Sequence, residues 1–280
     1  VYRQYDHMVR TNTVVLPGLG AGVVRVKGTT RALVFSLDGN GRHCFLDPAE
    51  GGRLAMAEAA RNVACAGAVP IGATNCLNFG NPERPDIMWQ FSQAVDGIAE
   101  ACRALDVPIT GGNVSLYNET DGQAIYPTPV IGMVGVIDDV SKIMRQPFQA
   151  NGDDIVLLGM NTGEIGGSEY LYVTADLVAG VPPSVDLDGE RMLQRAVLNM
   201  IDQEVLNSAH DCSEGGLASA LAECALGNGE EPFGLEASLD EDLRPVVSLF
   251  GESHGRIIVS CDPAKTDEVL RIAGMHEVPA

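Results

Sequence analysis

Thr74-Asn75-Cys76-Leu77-Asn78-Phe79-Gly80-Asn81-Pro82 and Pro108-Ile109-Thr110-Gly111-Gly112-Asn113-Val114-Ser115-Leu116-Tyr117-Asn118-Glu119 are the stretches on which the reading of this chain turns. Each follows a short apolar run, at residues 69–73 and 107–110, that reads as a buried strand. Between them Ile87, Phe91, Val95, Ile98, Cys102 and Leu105 recur at spacings of about three and four, the pattern of a helix with one apolar face. A strand, a polar loop, an amphipathic helix and then a second strand and polar loop bring both loops to one edge of a sheet.

The two loops place polar and glycine residues where a core wants neither. Asn and Gly are also the usual residues of tight turns, so residue type alone leaves a turn reading open. Against it stand Asn75, Asn78, Asn81 and Asn113, with Thr110 and Ser115, at strand ends where α/β proteins place ligands. Mg²⁺ takes hard oxygen ligands and shares its shell with substrate phosphates, so an Asn carbonyl is a legitimate ligand. Gly111 and Gly112 let the backbone approach a phosphate that a Cβ would obstruct.

Outward from this centre, residues 13–15, 23–26 and 32–37 read as strands, and Asp38-Gly39-Asn40-Gly41 as a turn into a third strand near Cys44 to Leu46. Asp47 suits an N-cap and Pro48 the first position of an alanine-rich, buried helix. A strand at 130–137 closes the block, and the polar segment 141–152 places a domain boundary, giving units 1–145 and 146–280. The second block reads as a strand at 154–160, helices at about 189–206, 216–226 and 241–249, a strand at 256–260 and a helix from Thr266. Mixed strands and helices in both blocks predict an α+β chain of two domains.

Composition narrows the function. Of the 280 residues 45% are hydrophobic, enough for real cores, and 38 acidic against 18 basic residues give a formal charge of −20. That field opposes nucleic acid, so an anionic ligand must be held locally by backbone N–H groups or a bound cation. Seven scattered cysteines without CxxC spacing read as reduced core residues of a cytoplasmic protein. No run approaches a membrane span and no signal-peptide pattern opens the chain, which excludes a membrane partner. A start at Val1 reads as part of something longer.

In order along the chain, Gln4-Tyr5-Asp6-His7-Met8-Val9, Leu46-Asp47-Pro48, the two loops, Gly163-Glu164-Ile165-Gly166-Gly167-Ser168-Glu169-Tyr170 and His210-Asp211-Cys212-Ser213-Glu214-Gly215-Gly216 carry a resemblance. The chain resembles the C-terminal half of the synthetase subunit of phosphoribosylformylglycinamidine synthase, in the aminoimidazole ribonucleotide synthetase-like superfamily. The resemblance implies a C–N ligase of purine biosynthesis that uses ATP, Mg²⁺, formylglycinamide ribonucleotide and glutamine-derived ammonia. ATP would activate the amide oxygen as a phosphorylated imidate, which ammonia displaces. It further implies that Asn75, often Asp in the family, and Gly112 contact ATP, that Asn113 binds magnesium and that Ser115 holds the ribonucleotide. No catalytic residue falls in this half, so the chain alone is expected to be inactive. Its partners would be the N-terminal half of the synthetase, which shares a barrel with the first domain, and a glutaminase subunit or domain. On its own the chain is expected to form a homodimer.

Other candidates have plainer readings. His7 in a polar opening segment reads as structural or solvated rather than a base. Asp211 and Glu214, beside a helix start, could bind metal and read better as helix caps. Residues 163–169 read either as a phosphate cradle, which their acidic residues disfavour, or equally as a tight strand-to-helix turn, and Ser253-His254 reads as a loop. The rivals are another ATP-using enzyme of the superfamily and a non-catalytic nucleotide-binding scaffold.

Overall fold

The computed structural model describes residues 7–227, 232–239 and 243–280. The Gln4-Tyr5-Asp6 part of the opening motif and the first two residues of the helix expected at 241–249 lie outside them. Among the described residues the first half builds a six-stranded sheet from β1 (Thr13–Val15), β2 (Gly22–Arg25), β3 (Ala32–Asp38), β4 (Val69–Asn78), β5 (Ile109–Ser115) and β8 (Thr128–Ile137). The order is β1-β2-β3-β8-β4-β5. Only the β4–β5 pairing is parallel. A small hairpin, β6 (Glu119–Thr120) and β7 (Gln123–Ala124), follows β5.

Two helices cover one face of this sheet, α2 (Pro48–Cys65) and α3 (Pro85–Leu105). The start of α2 follows the sequence logic, with the Asp47 side chain accepting from Glu50 N at 3.0 Å and Pro48 in the first turn. Small residues then let the two helices touch: a Cβ on Gly97 would stand 2.0 Å from the Ala49 carbonyl oxygen. Helix α3 ends where Asp106 turns left-handed at φ 58° and its N–H returns to Cys102 O. The core between helices and sheet is filled by Met56, Val63, Ile98, Val34, Ile131 and Met133.

Among the described residues nothing of the kind covers the opposite face. Phe35, Leu37, Val69 and Ile71 are exposed there, Leu37 by 73%. A large exposed apolar surface on a sheet is an interaction surface rather than a finished exterior.

The second half is a three-stranded antiparallel sheet of β9 (Asp154–Leu158), β10 (Ser208–Asp211) and β11 (Ile257–Cys261), in the order β10-β11-β9. Helices α5 (Leu187–Asp202) and α8 (Thr266–Met275) pack on one face through Leu193, Val197, Met200, Val269 and Ile272. Helix α6 (Gly216–Leu226) packs with Phe148 and Ile258 in a separate cluster. Helix α4 (Glu169–Ala175), capped by Ser168 Oγ, and the short α7 (Pro245–Phe250) complete the unit. The α+β class expected from the sequence is the class observed.

Three expectations are corrected. Residues 41–46 form a helix, α1 (Gly41–Leu46), not a strand, because Asn40 is extended and its side chain accepts from the N–H groups of Arg42 and His43. Residues 74–78 and 110–115 are strand rather than loop, since the parallel β4–β5 ladder runs through them. Ser208 to Asp211 form a strand that its polar composition hid, and all four residues are buried. The cysteines are all free, with five buried.

Candidate functional site

The β4–β5 pair brings the four sequence candidates together. Its register sets Asn75 opposite Gly112, Cys76 opposite Asn113 and Asn78 opposite Ser115. Side chains alternate along a strand, so Asn113 and Ser115 share the uncovered face with Cys76 and Asn78, while Asn75 stands on the other face. Thr74 Oγ1 donates to Gly111 O at 3.0 Å and Thr110 Oγ1 to Ala73 O at 3.2 Å, locking the register with side chains as well as backbone.

Gly112 is required by its neighbour. A Cβ there would fall 2.1 Å from Asn75 Oδ1 and 2.3 Å from Asn75 O, so the asparagine occupies the space a side chain would need. Around Gly111, by contrast, no atom of the described residues lies within 4 Å of such a Cβ, and the backbone is open to an approaching ligand. Strand β5 is an edge strand, exposed from Thr110 to Val114. Among the described residues none hydrogen-bonds to the Asn113 amide, whose carbonyl is a hard oxygen free for a cation. Ser115 lies deeper, its hydroxyl against the Asn118 side chain. Neither Asn78 nor Asn81 is free: Asn78 Nδ2 donates to Cys76 O and Thr128 O, and Asn81 Oδ1 accepts from Glu83 N.

A second polar centre is buried where the two halves meet. Arg61, on α2 and fully buried, pairs with Glu190 of α5 and lies 3.6 Å from Asp211 of β10. Asn62 Nδ2 donates to Asp38 Oδ1 at 2.9 Å. Glu252 accepts from the N–H groups of Glu169 and Gly215, both at 2.8 Å, and so ties the 163–169 turn to the start of α6. His43 Nε2 approaches Glu252 at 3.5 Å. Asp211 and Glu214 are therefore not helix caps: α6 starts on Gly215 without a side-chain cap, and Asp211 belongs to the ion cluster. No group of three or more His, Cys, Asp or Glu residues arranged for a metal is found among the described residues.

The cluster carries more acid than base, and the acids respond. Burial first, then the Asp211 charge, pushes the Asp38 carboxyl from 3.8 up to about 7. Glu58, fully buried beside Glu214 and Asp38, is also raised well above the carboxylate range. Burial holds His254 neutral. A carboxyl whose folded pKa is raised favours the folded state while protonated, fully below its unfolded value near 4 and no longer above about 7. Stability is thus expected to fall as pH rises from 4 to 7. Asp38→Asn, which keeps the bond to Asn62, should flatten that slope in urea melts taken across the range.

Sequence reasoning did not find Glu58, Arg61 and Asn62. The signal was present: three polar side chains in the second half of an alanine-rich helix whose part-exposed polar residues, Glu50 and Arg53, lie in its first turns.

A family described as AIR synthase related protein, N-terminal domain, matches residues 18–137, and AIR synthase related protein, C-terminal domain, matches residues 150–280. Phosphoribosylformylglycinamidine synthase subunit PurL of Caldanaerobacter subterraneus is 53% identical over 280 residues, all of this chain and 38% of that protein. The chain therefore spans less than two fifths of the relative's length. Among solved structures, Thermotoga maritima PurL complexed with ATP is similar over 93% of this chain and 37% of its own, with a TM-score of 0.65 and 26% identity. Thermotoga maritima PurL complexed with FGAR aligns over 98% of this chain and 45% of its own with a TM-score of 0.74, a likeness of fold at 22% identity.

Proposed function

Because the chain belongs to the AIR synthase-related family and carries both of its domain types, we propose that it is the C-terminal part of a phosphoribosylformylglycinamidine synthase synthetase subunit. The reaction is the ATP-dependent conversion of formylglycinamide ribonucleotide and glutamine-derived ammonia to the amidine. The observation that carries this reading is the adjacency of Asn75, Gly112, Asn113 and Ser115 in the β4–β5 ladder at the sheet edge, with Asn113 and Ser115 on its uncovered face. The division into a nucleotide-binding unit at 1–145 and a C-terminal-type unit at 146–280 belongs to the same proposal, as does a cytoplasmic location.

Each residue has a role its chemistry suits. Asn75 and Gly112 face ATP, the first through amide hydrogen bonds and the second through a backbone that no Cβ covers. Asn113 offers a neutral oxygen to Mg²⁺, and Ser115 a hydroxyl to the ribonucleotide. The bound ion supplies charge neutralisation on phosphate oxygens. Phosphoryl transfer depends chiefly on positioning and on that neutralisation, so a ligand-holding edge is a sensible contribution from one half. None of the four is a base, and the remaining machinery is assigned to the N-terminal half.

The uncovered face of the first sheet supports a partner of that kind. Phe35, Leu37, Val69 and Ile71 present apolar surface on the sheet that ends in the candidate site. The N-terminal half of the subunit is the occupant this reading requires, with a second copy of the chain standing in when the half is absent. A glutaminase supplies ammonia to the assembly.

The test is Asn113→Ala in the full-length subunit. Turnover is expected to fall about tenfold to a hundredfold, with the loss partly recovered at high Mg²⁺. Unchanged turnover would instead favour a non-catalytic nucleotide-binding scaffold.

A further inference from the structure

Gly251-Glu252-Ser253-His254-Gly255-Arg256 is a polar run that the proposed ligand edge leaves unused. A loop of this composition ordinarily lies at the surface. Here Glu252 is 2% exposed, and Ser253 and Arg256 are fully buried. Arg256 gathers the loop inward, its Nε donating to Ser253 O at 2.8 Å and its Nη2 to Gly251 O at 2.7 Å.

Drawn in, the loop accepts from backbone N–H groups of its neighbours. Ser253 Oγ accepts from Thr162 N at 3.1 Å and from Gly163 N at 3.2 Å. On Glu252 a single oxygen, Oε1, takes both the Glu169 and the Gly215 N–H, so two segments distant in sequence converge on one carboxylate. Backbone N–H groups that converge in this way hold an anion through charge-assisted hydrogen bonds. The other oxygen, Oε2, is enclosed and makes no hydrogen bond among the described residues. Facing it at 3.5 Å is His43 Nε2, itself without a hydrogen bond among those residues, on a side chain that is 4% exposed. His43 reaches this point because residue 167 is glycine, where a Cβ would stand 2.9 Å from His43 Cδ2. Helix α1, the 163–169 turn and the turn ahead of α6 thus make three walls around one carboxylate.

We infer that these walls form an oxyanion site in the seam between the two halves, and that the Glu252 carboxylate is its built-in occupant. The ligand chemistry of the site is that of a small carboxylate, which the chain supplies to itself. While Glu252 is in place the seam admits no external anion, and the two N–H groups keep their acceptor. The site is separate from the β4–β5 edge and does not depend on the roles proposed there.

The experiment is hydrogen exchange read by mass spectrometry on the full-length subunit, over segments 163–171 and 211–217, with acetate as the probe. Glu252→Ala deletes the atoms of one acetate ion and leaves the Cβ. Without added anion, exchange in both segments is expected to speed up by about tenfold to a hundredfold, the effect of leaving buried N–H groups without an acceptor. Acetate should restore protection in both segments together and saturably, whereas sodium chloride at the same ionic strength should not. Glu252→Gln fills the same space, so its exchange should not respond to acetate. Exchange in Glu252→Ala that matches the parent, that acetate leaves fast, or that chloride slows equally well overturns the inference. So does a response of Glu252→Gln to acetate, which would place the anion elsewhere. The alanine variant is prepared with acetate present throughout; failure to fold even then also counts against the site, because acetate returns every atom that the substitution removed.

Discussion

Arg61→Met is expected to lower the unfolding free energy of the chain by about 3–5 kcal/mol, the cost of leaving buried carboxylates without their counter-charge. Arg61 is fully buried, pairs with Glu190 and lies near Asp211, and burial is complete on both sides of the Arg61–Glu190 pair. Methionine replaces the stem but not the guanidinium, so packing is largely kept and the loss is electrostatic. The acids already crowd one another, as the upward displacement of Asp38 and Glu58 shows. Without Arg61 they take up protons more readily, and the penalty should therefore be larger at pH 8 than at pH 6. Adding Glu190→Gln removes one stranded charge and is expected to restore a large part of the stability. Urea unfolding of the three proteins at the two pH values reads all of this. A loss below about 1 kcal/mol, or no relief from Glu190→Gln, would mean that the ion cluster does not hold the two halves together.

The same cluster marks the limit of what could be read from the residues. The layered α+β build was legible because its signals are local: the three- and four-residue spacing of α3, Asp47-Pro48 ahead of α2, and apolar runs before each polar stretch. The family resemblance singled out the four ligand candidates, and the parallel register sets them on adjacent strands. Charged groups whose partners are far along the chain were not legible. Arg61 and Glu190 are separated by 129 positions, and nothing near either one announces the pair. Asn40 illustrates a different loss, since an Asp-Gly-Asn-Gly run suits a hairpin turn and a helix cap equally, and the surrounding chain decides between them. Ser208 to Asp211 hide a strand because their polar side chains meet partners on other elements: Ser208 Oγ meets Ser260 Oγ at 2.7 Å, His210 Nε2 meets Glu223 at 2.8 Å, and Asp211 lies 3.6 Å from Arg61. Polarity signals exposure only when no partner waits in the core.

Gly112→Ala is expected to cost more activity than loss of any single ligand contact, because it moves several of them at once. The new Cβ would stand 2.1 Å from Asn75 Oδ1, which a rotation of that side chain could relieve, but also 2.3 Å from Asn75 O and 3.0 Å from Asn75 N. Those are backbone atoms of β4, and they can yield only if the strands separate. The glycine is also at φ 156°, at the edge of the region that L side chains rarely adopt. Asn113 follows directly in β5 and Ser115 two residues later, so a displaced ladder carries the proposed magnesium and ribonucleotide contacts with it. Misplacement of reacting groups by about 1 Å lowers rates by about a hundredfold, and turnover of the full-length subunit should fall by at least that, with a higher ATP KM. Gly111→Ala separates the steric argument from the general cost of a side chain in this strand. Nothing lies within 4 Å of its Cβ, so its stability should stay within about 0.5 kcal/mol of the parent, while Gly112→Ala loses about 1–3 kcal/mol. If Gly112→Ala melts with the parent and binds ATP as tightly, the close approach of Asn75 is not what fixes this edge.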